Sequence, residues 1–174
     1  MNINRTKSFT SFSFLNSYIA KERKTKSILR WTPARWLLYQ SRILKKREKY
    51  NADQIEMAIK RLLPEAAVLL PDWEYWTTNV QDYMNFLELD DTDKAEYVDD
   101  FYDCDDFAYR LMGQLHHPLY GAFAHGISWS SVHAFNCFID WNLDLYLVEP
   151  QTDEIALVKV GELPIDYKPE IIFM

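Results

Sequence analysis

An α+β domain, with helices first and an antiparallel sheet after them, is what the apolar pattern of this sequence predicts. Two observations carry that expectation. In separate runs from Trp36 to Leu115 the apolar residues recur at three- and four-residue spacing, the period of an amphipathic helix. Beyond "HHPLYG" the period changes: "VHAFNCFID", "LDLYLVEP" and "EIALVKV" alternate, and each is bounded by turn residues. At 174 residues, 48% hydrophobic and 16% aromatic, the chain can bury one sizeable core.

Residues 1–30 are rich in Ser, Thr and Lys with no clean period, and an extended arm is expected there. In "TPARWLLYQSRILKKREKYN", Thr32 suits a cap, Pro33 suits the first helical position, and Trp36, Leu37, Ile43 and Leu44 share one face. A second helix is expected from Asn51, with Ile55, Ala58, Ile59 and Leu62 in register, stopping near Pro64. A third pattern from Asp72 runs through Trp73, Trp76, Val80, Tyr83, Met84 and Leu87, and reads as an aromatic stripe packed on the core. The acidic stretch Glu88–Asp100 then leads into "YDCDDFAYRLM". There Phe107, Ala108, Leu111, Met112 and Leu115 place Cys104 at or just before the first turn of a helix.

The net charge of −7 conceals a division. Residues 1–50 hold thirteen Lys/Arg against two acids, for +11, whereas residues 51–174 hold six against twenty-four, for −18. The chain therefore reads as a basic arm with one helix, residues 1–50, and an α+β body, residues 51–174. Parts of opposite sign attract one another or choose different partners. An acidic body argues against nucleic acid as the main ligand. At the arm, Trp31, Trp36 and Tyr39 among basic residues suit nucleic acid weakly, and suit a protein assembly or the acidic body at least as well. The longest apolar run, "AAVLL", is too short to span a membrane, and "FTSFSFLNSYIA" is too polar for a signal segment, so a cytoplasmic or virion-contained protein is expected.

Two cysteines make no disulfide framework, and Cys104 and Cys137 read as free thiols. His116, His117, His125 and the two cysteines have no zinc spacing, and four glycines make no phosphate loop. A thiol becomes a useful nucleophile at a helix N-terminus beside an imidazolium. Cys104 has the first. Asp103, Asp105 and Asp106 oppose it, because nearby negative charge disfavours a thiolate. His133 opens a strand whose face carries Phe135, Cys137 and Ile139, and a hairpin about "DWNLD" sets Ile139 against Leu143 and brings His133 beside Glu149. A Cys, a His and a carboxylate thus fall on three adjacent elements, and the carboxylate would orient the imidazole.

"YDCDDFA", "HAFN" and "LVEPQT" resemble the papain-like cysteine protease domain at the C-terminus of the agglutinin from the mushroom Marasmius oreades. More distantly they resemble bacterial transglutaminase-like cysteine proteases. The likeness runs from about Tyr97 to Ile155 and implies a papain-like/transglutaminase-like α+β fold acting on a protein or peptide substrate. It implies Cys104 as catalytic nucleophile, His133 as base, Glu149 as orienting acid and Gln151 as a further residue of the active site. It also implies calcium, with Asp105 and Asp106 as ligands. The oxyanion-hole Gln usual before the cysteine is missing, with Gln81 or Asn79 as substitutes, and the agglutinin's sugar-binding domain has no counterpart. The function expected on this basis is a cysteine peptidase-like thiol hydrolase cleaving an amide. The alternative is a non-catalytic interaction module of the same fold, such as a phage-particle component, anchored by its basic arm.

Overall fold

The computed structural model describes residues 44–116, 123–161 and 163–174. Most of the expected arm and its helix therefore lie outside the described residues. Helix α1, Ala52–Leu62, begins where the sequence places it, and Asn51 is the reason. Its side chain accepts the Gln54 N–H at 2.9 Å, while the Gln54 side chain accepts the Asn51 N–H at 3.0 Å. The pair satisfies two of the donors that any helix start leaves open. Ile55, Ala58 and Ile59 turn inward.

The aromatic stripe expected from Asp72 is not one helix. Glu74–Trp76 is a strand, β3, paired antiparallel with β1, Lys49–Asn51, and only Val80–Leu87 forms a helix, α2. The last residues of the expected arm helix are thus strand. Asn79 decides the boundary: its side chain accepts the Asp82 N–H at 2.7 Å and starts α2 there. Trp73 is 89% exposed and packs on nothing in the core, whereas Tyr83, Phe86 and Leu87 are buried. Trp76 packs against the cluster of Tyr83, Phe86 and Leu87 and also lies under the ammonium groups of Lys46 and Lys49. Helix α3, Cys104–Leu115, completes the three helices of the described residues.

The main sheet has six strands in the order β2, β8, β4, β5, β6, β7. These are β2 Ala67–Leu69, β4 His125–Trp129, β5 Ala134–Ile139, β6 Leu145–Glu149, β7 Glu154–Leu157 and β8 Ile171–Phe173. All pairs are antiparallel except β2 with β8. The three alternating runs of the sequence are β5, β6 and β7. The β5–β6 turn closes on Asp140, whose Oδ1 accepts the N–H groups of Asn142 and Asp144 at 2.8 and 3.0 Å. The class is α+β, with a mostly antiparallel sheet. No helix among the described residues is long and apolar enough to cross a membrane.

Strand β5 is buried along its whole length because both faces are covered. Phe135, Cys137 and Ile139 join Ile55 and Ile59 of α1 in one core cluster. On the opposite face Phe138 joins Tyr83 and Phe86 of α2 and Leu111 and Leu115 of α3. Asn136, on the α3 side, is buried, and its amide donates to the carbonyls of Ala108 in α3 and Gly126 in β4 at 2.9 and 3.1 Å. This tie joins α3 to the middle of the sheet through the amide nitrogen, while the buried Oδ1 has no partner among the described residues.

Candidate functional site

Cys104 is the first residue of α3, and a capping box holds the helix start beneath it. Asp103 is the N-cap, and its N–H donates to Asp106 Oδ2 at 3.2 Å. Asp106 is thus engaged in the cap. The acidic group gathered around the thiol is Asp103 and Asp105, whose ligand atoms lie within 4.8 Å of one another and of the Cys104 sulfur. A hydrogen bond that the protonated Asp105 carboxyl donates to Asp103, with burial and the Asp103 charge, raises the pKa of Asp105 above the usual carboxylate value. Of the two expected calcium ligands, Asp106 serves the helix cap, and Asp105 stands with Asp103 and the Cys104 sulfur.

His133 sits in the turn before β5, and its N–H donates to Ser130 Oγ at 3.0 Å. Its Nε2 lies 2.7 Å from Glu149 Oε2, with the two side chains 9% and 2% exposed. The Cys104 side chain lies close enough to the ring to raise its pKa together with Glu149. Burial opposes a charge on this imidazole, but Cys104 and Glu149 outweigh it and raise its pKa to about 9. The fold thus brings Cys104, His133 and Glu149 together. Gln151 stands beside them: its N–H donates to Glu149 Oε1 at 3.3 Å, and its side-chain nitrogen is buried with no partner among the described residues. Gln81 and Asn79 do not join the group. Gln81 bonds Asn85 at 3.0 Å, and Asn79 caps α2.

The route to this contact differs from the expected hairpin. Ile139 pairs with Leu145, not Leu143, so the register is two residues longer on the β6 side. Continued outward, that ladder sets Phe135 against Glu149 and His133 against Gln151. His133 therefore reaches Glu149 diagonally along one face, a distance that long side chains bridge. That face packs on α1, and His133 meets Cys104 at the end of the sheet rather than across it.

Tyr167 completes the arrangement and was not foreseen. Its hydroxyl donates to Glu149 Oε2 at 2.9 Å, and its ring meets His133 edge-on with centroids 5.3 Å apart. It comes from a single 3₁₀ turn, Ile165–Tyr167, which no sequence pattern announced. A tyrosine followed by Lys-Pro offers only the weak signal of a buried aromatic needing a polar partner.

The other buried histidine is not part of the site. Both ring nitrogens of His125 are buried with no partner among the described residues, and His116 Nε2 lies 3.2 Å from the His125 carbonyl oxygen. Burial, and secondarily His116, holds the His125 pKa well below 6.5. The folded protein therefore keeps it neutral, while the unfolded chain takes up a proton below about pH 6.5. Stability is expected to fall as pH drops from 6.5 to 5, by up to about 1.4 kcal/mol per unit for one proton. Urea unfolding of His125→Phe should lose that slope, and an unchanged slope would assign it to other groups.

No family model matches the chain, and no curated protein matches it. Solved structures do. A structure described as the PSL1a–E64 complex superposes with a TM-score of 0.61 and 17% identity, covering 74% of this chain and 52% of that one. The lectin of Polyporus squamosus, bound to the human-type influenza-binding epitope Neu5Aca2-6Galb1-4GlcNAc, gives 0.59 and 16%, covering 74% and 50%. At this identity the likeness is one of fold, and the chain spans about half the length of the proteins it matches. These findings correct the expectation of a papain-like cysteine peptidase. The structures that share the fold are those of a lectin, neither is described as a peptidase or thiol hydrolase, and neither description mentions calcium or a phage particle.

Proposed function

We propose that this domain is a ligand-binding module whose site carries a reactive thiol, with Cys104 engaging the ligand and His133 and Glu149 holding the charge beside it. The observation that carries the reading is the placement of His133 between Cys104 and Glu149, with its pKa raised to about 9. An imidazolium next to a sulfur at a helix N-terminus is the setting in which thiols attack electrophilic carbon. The thiolate sulfur forms a bond to carbon as that carbon's bond to the displaced group breaks, the displaced group leaves with the electron pair and takes a proton from His133 where it is basic enough, and Glu149 and Tyr167 hold the ring. Amide hydrolysis is no part of this reading. Ligand binding is in keeping with the fold's relatives, one described with E64 and one with a sialylated glycan.

Mass-spectrometric labelling with iodoacetamide at pH 7 tests it. Cys104 should react much faster than Cys137, which is buried and whose thiol burial pushes up to about 12. His133→Ala should slow Cys104 by at least about tenfold through loss of the counter-ion. E64 is the natural second probe and should add to Cys104 alone. Equal, slow labelling of both cysteines would end the reading. Binding of a glycan is a second reading, favoured by the lectin's ligand; titration with the same trisaccharide tests it, and no heat at millimolar sugar would remove it.

A further inference from the structure

Three polar side chains of the packed core surround one space without bonding one another. Thr78, Tyr83 and His125 are 2%, 1% and 1% exposed. Thr78 Oγ1, the Tyr83 hydroxyl and both ring nitrogens of His125 have no hydrogen-bond partner among the described residues. All three residues line a cavity, together with Leu115, Phe138 and Ile139. The cavity leaves about 10 Å³ for the centre of a water-sized sphere, which is the room of a single water.

Packing that does not involve their polar atoms holds the three in place. Thr78 follows β3, and its carbonyl accepts the Trp141 N–H at 3.0 Å. Tyr83 belongs to α2 and is stacked on Phe138, with centroids 3.9 Å apart. His125 opens β4 opposite Phe138, and its ring centroid lies 5.6 Å from that of Tyr83. The neighbouring Thr77 makes the contrast, because its hydroxyl donates to the Glu48 carbonyl at 3.1 Å. Buried polar side chains find partners as a rule. A cavity lined by several that have none is wet, where an apolar one stays dry.

We propose that one water molecule is built into this cavity and bonds Thr78, Tyr83 and His125, joining the β3–α2 link, helix α2 and strand β4. The protonation states suit it. Burial keeps His125 neutral, so one ring nitrogen is a bare acceptor, and burial keeps the Tyr83 phenol protonated, so it is a donor. The water donates to the imidazole nitrogen, accepts from the phenol and gives its second hydrogen to Thr78 Oγ1. Three bonds are the usual number for a buried water. The site does not depend on the reactivity proposed for Cys104.

Oxygen-17 relaxation dispersion of the solvent, measured on the full chain, counts the waters held inside longer than the protein takes to tumble. Thr78→Val and Tyr83→Phe each remove one hydroxyl and keep the outline of the side chain, and each should lower that count by one. Urea unfolding supplies a sign. With the water bonded, each variant should lower the folded-to-unfolded ratio about threefold to tenfold, whereas in a dry cavity the same hydroxyls are unsatisfied and removing them should raise it. In the double variant the second substitution should add less than about twofold, because the first has already released the shared water. A wild type with no long-held water would overturn the proposal, and needs no variant to be seen. So would a count that neither variant changes, a ratio that rises in the single variants, or fully additive losses in the double variant.

Discussion

Gly126→Ala should destabilise this protein by about 3 kcal/mol or more. Gly126 lies in β4, between β8 and β5, and a Cβ built there would fall 1.9 Å from the Phe173 carbonyl oxygen and 2.7 Å from Met174 Cγ. The first of these is backbone, so no rotamer change relieves it, and β8 must move away from β4. The Gly126 carbonyl also accepts from Asn136, so the displacement is passed to the tie that holds α3 and, with it, Cys104. Gly113→Ala supplies the opposite sign. It is helical, nothing lies within 4 Å of its added Cβ, and alanine should gain roughly 0.5–1 kcal/mol there. Urea unfolding of both variants checks the pair; a Gly126→Ala protein within about 0.5 kcal/mol of wild type would show that the β4–β8 approach is not as close as described.

Glu149→Ala should cost about 3–5 kcal/mol, because it strands a charged partner in the interior. The Glu149 side chain is 2% exposed, and its Oε2 holds both His133 Nε2 and the Tyr167 hydroxyl. The sign of the pH dependence follows from the raised pKa of His133. Its contribution is complete below about pH 6.5, the unfolded value, and is lost as pH rises through about 9. The wild type should therefore weaken by about 2–3 kcal/mol between pH 6.5 and 9. Glu149→Gln keeps the shape and an acceptor for Tyr167 but removes the charge, and should weaken much less over that range. If both proteins follow the same curve, the His133–Glu149 pair is not charged in the folded state.

Cys104 was legible because a helix start has local chemistry: an acid to cap, a second acid three residues on, then apolar residues at helical spacing. All of that lies within twelve residues, and the structure shows the same cap. The pairing of His133 with Glu149 was legible through hairpin arithmetic, although the register came out two residues different. The error was harmless because side chains two apart on a strand share a face. The helix expected from Asp72 failed for the opposite reason. Trp73 and Trp76 fit a helical period by chance of spacing, while β1, more than twenty residues upstream, recruits Glu74–Trp76 into a strand.

What the sequence determined by itself were the features set by neighbours along the chain: the capped starts of α1 and α3, the three alternating strands β5 to β7, and the candidacy of Cys104, His133 and Glu149. Only the tertiary structure decided the rest. Strands β2, β4 and β8 are three to five residues long, β4 and β8 meet across more than forty residues, and β4 is buried on both faces, so they have no period to read. Tyr167 reaches Glu149 from a 3₁₀ turn eighteen residues away. Asn136, in the alternating run of β5, is buried by its bond to Ala108 of α3. In each case the partner is distant in sequence, and a contact closed through space leaves no pattern along the chain.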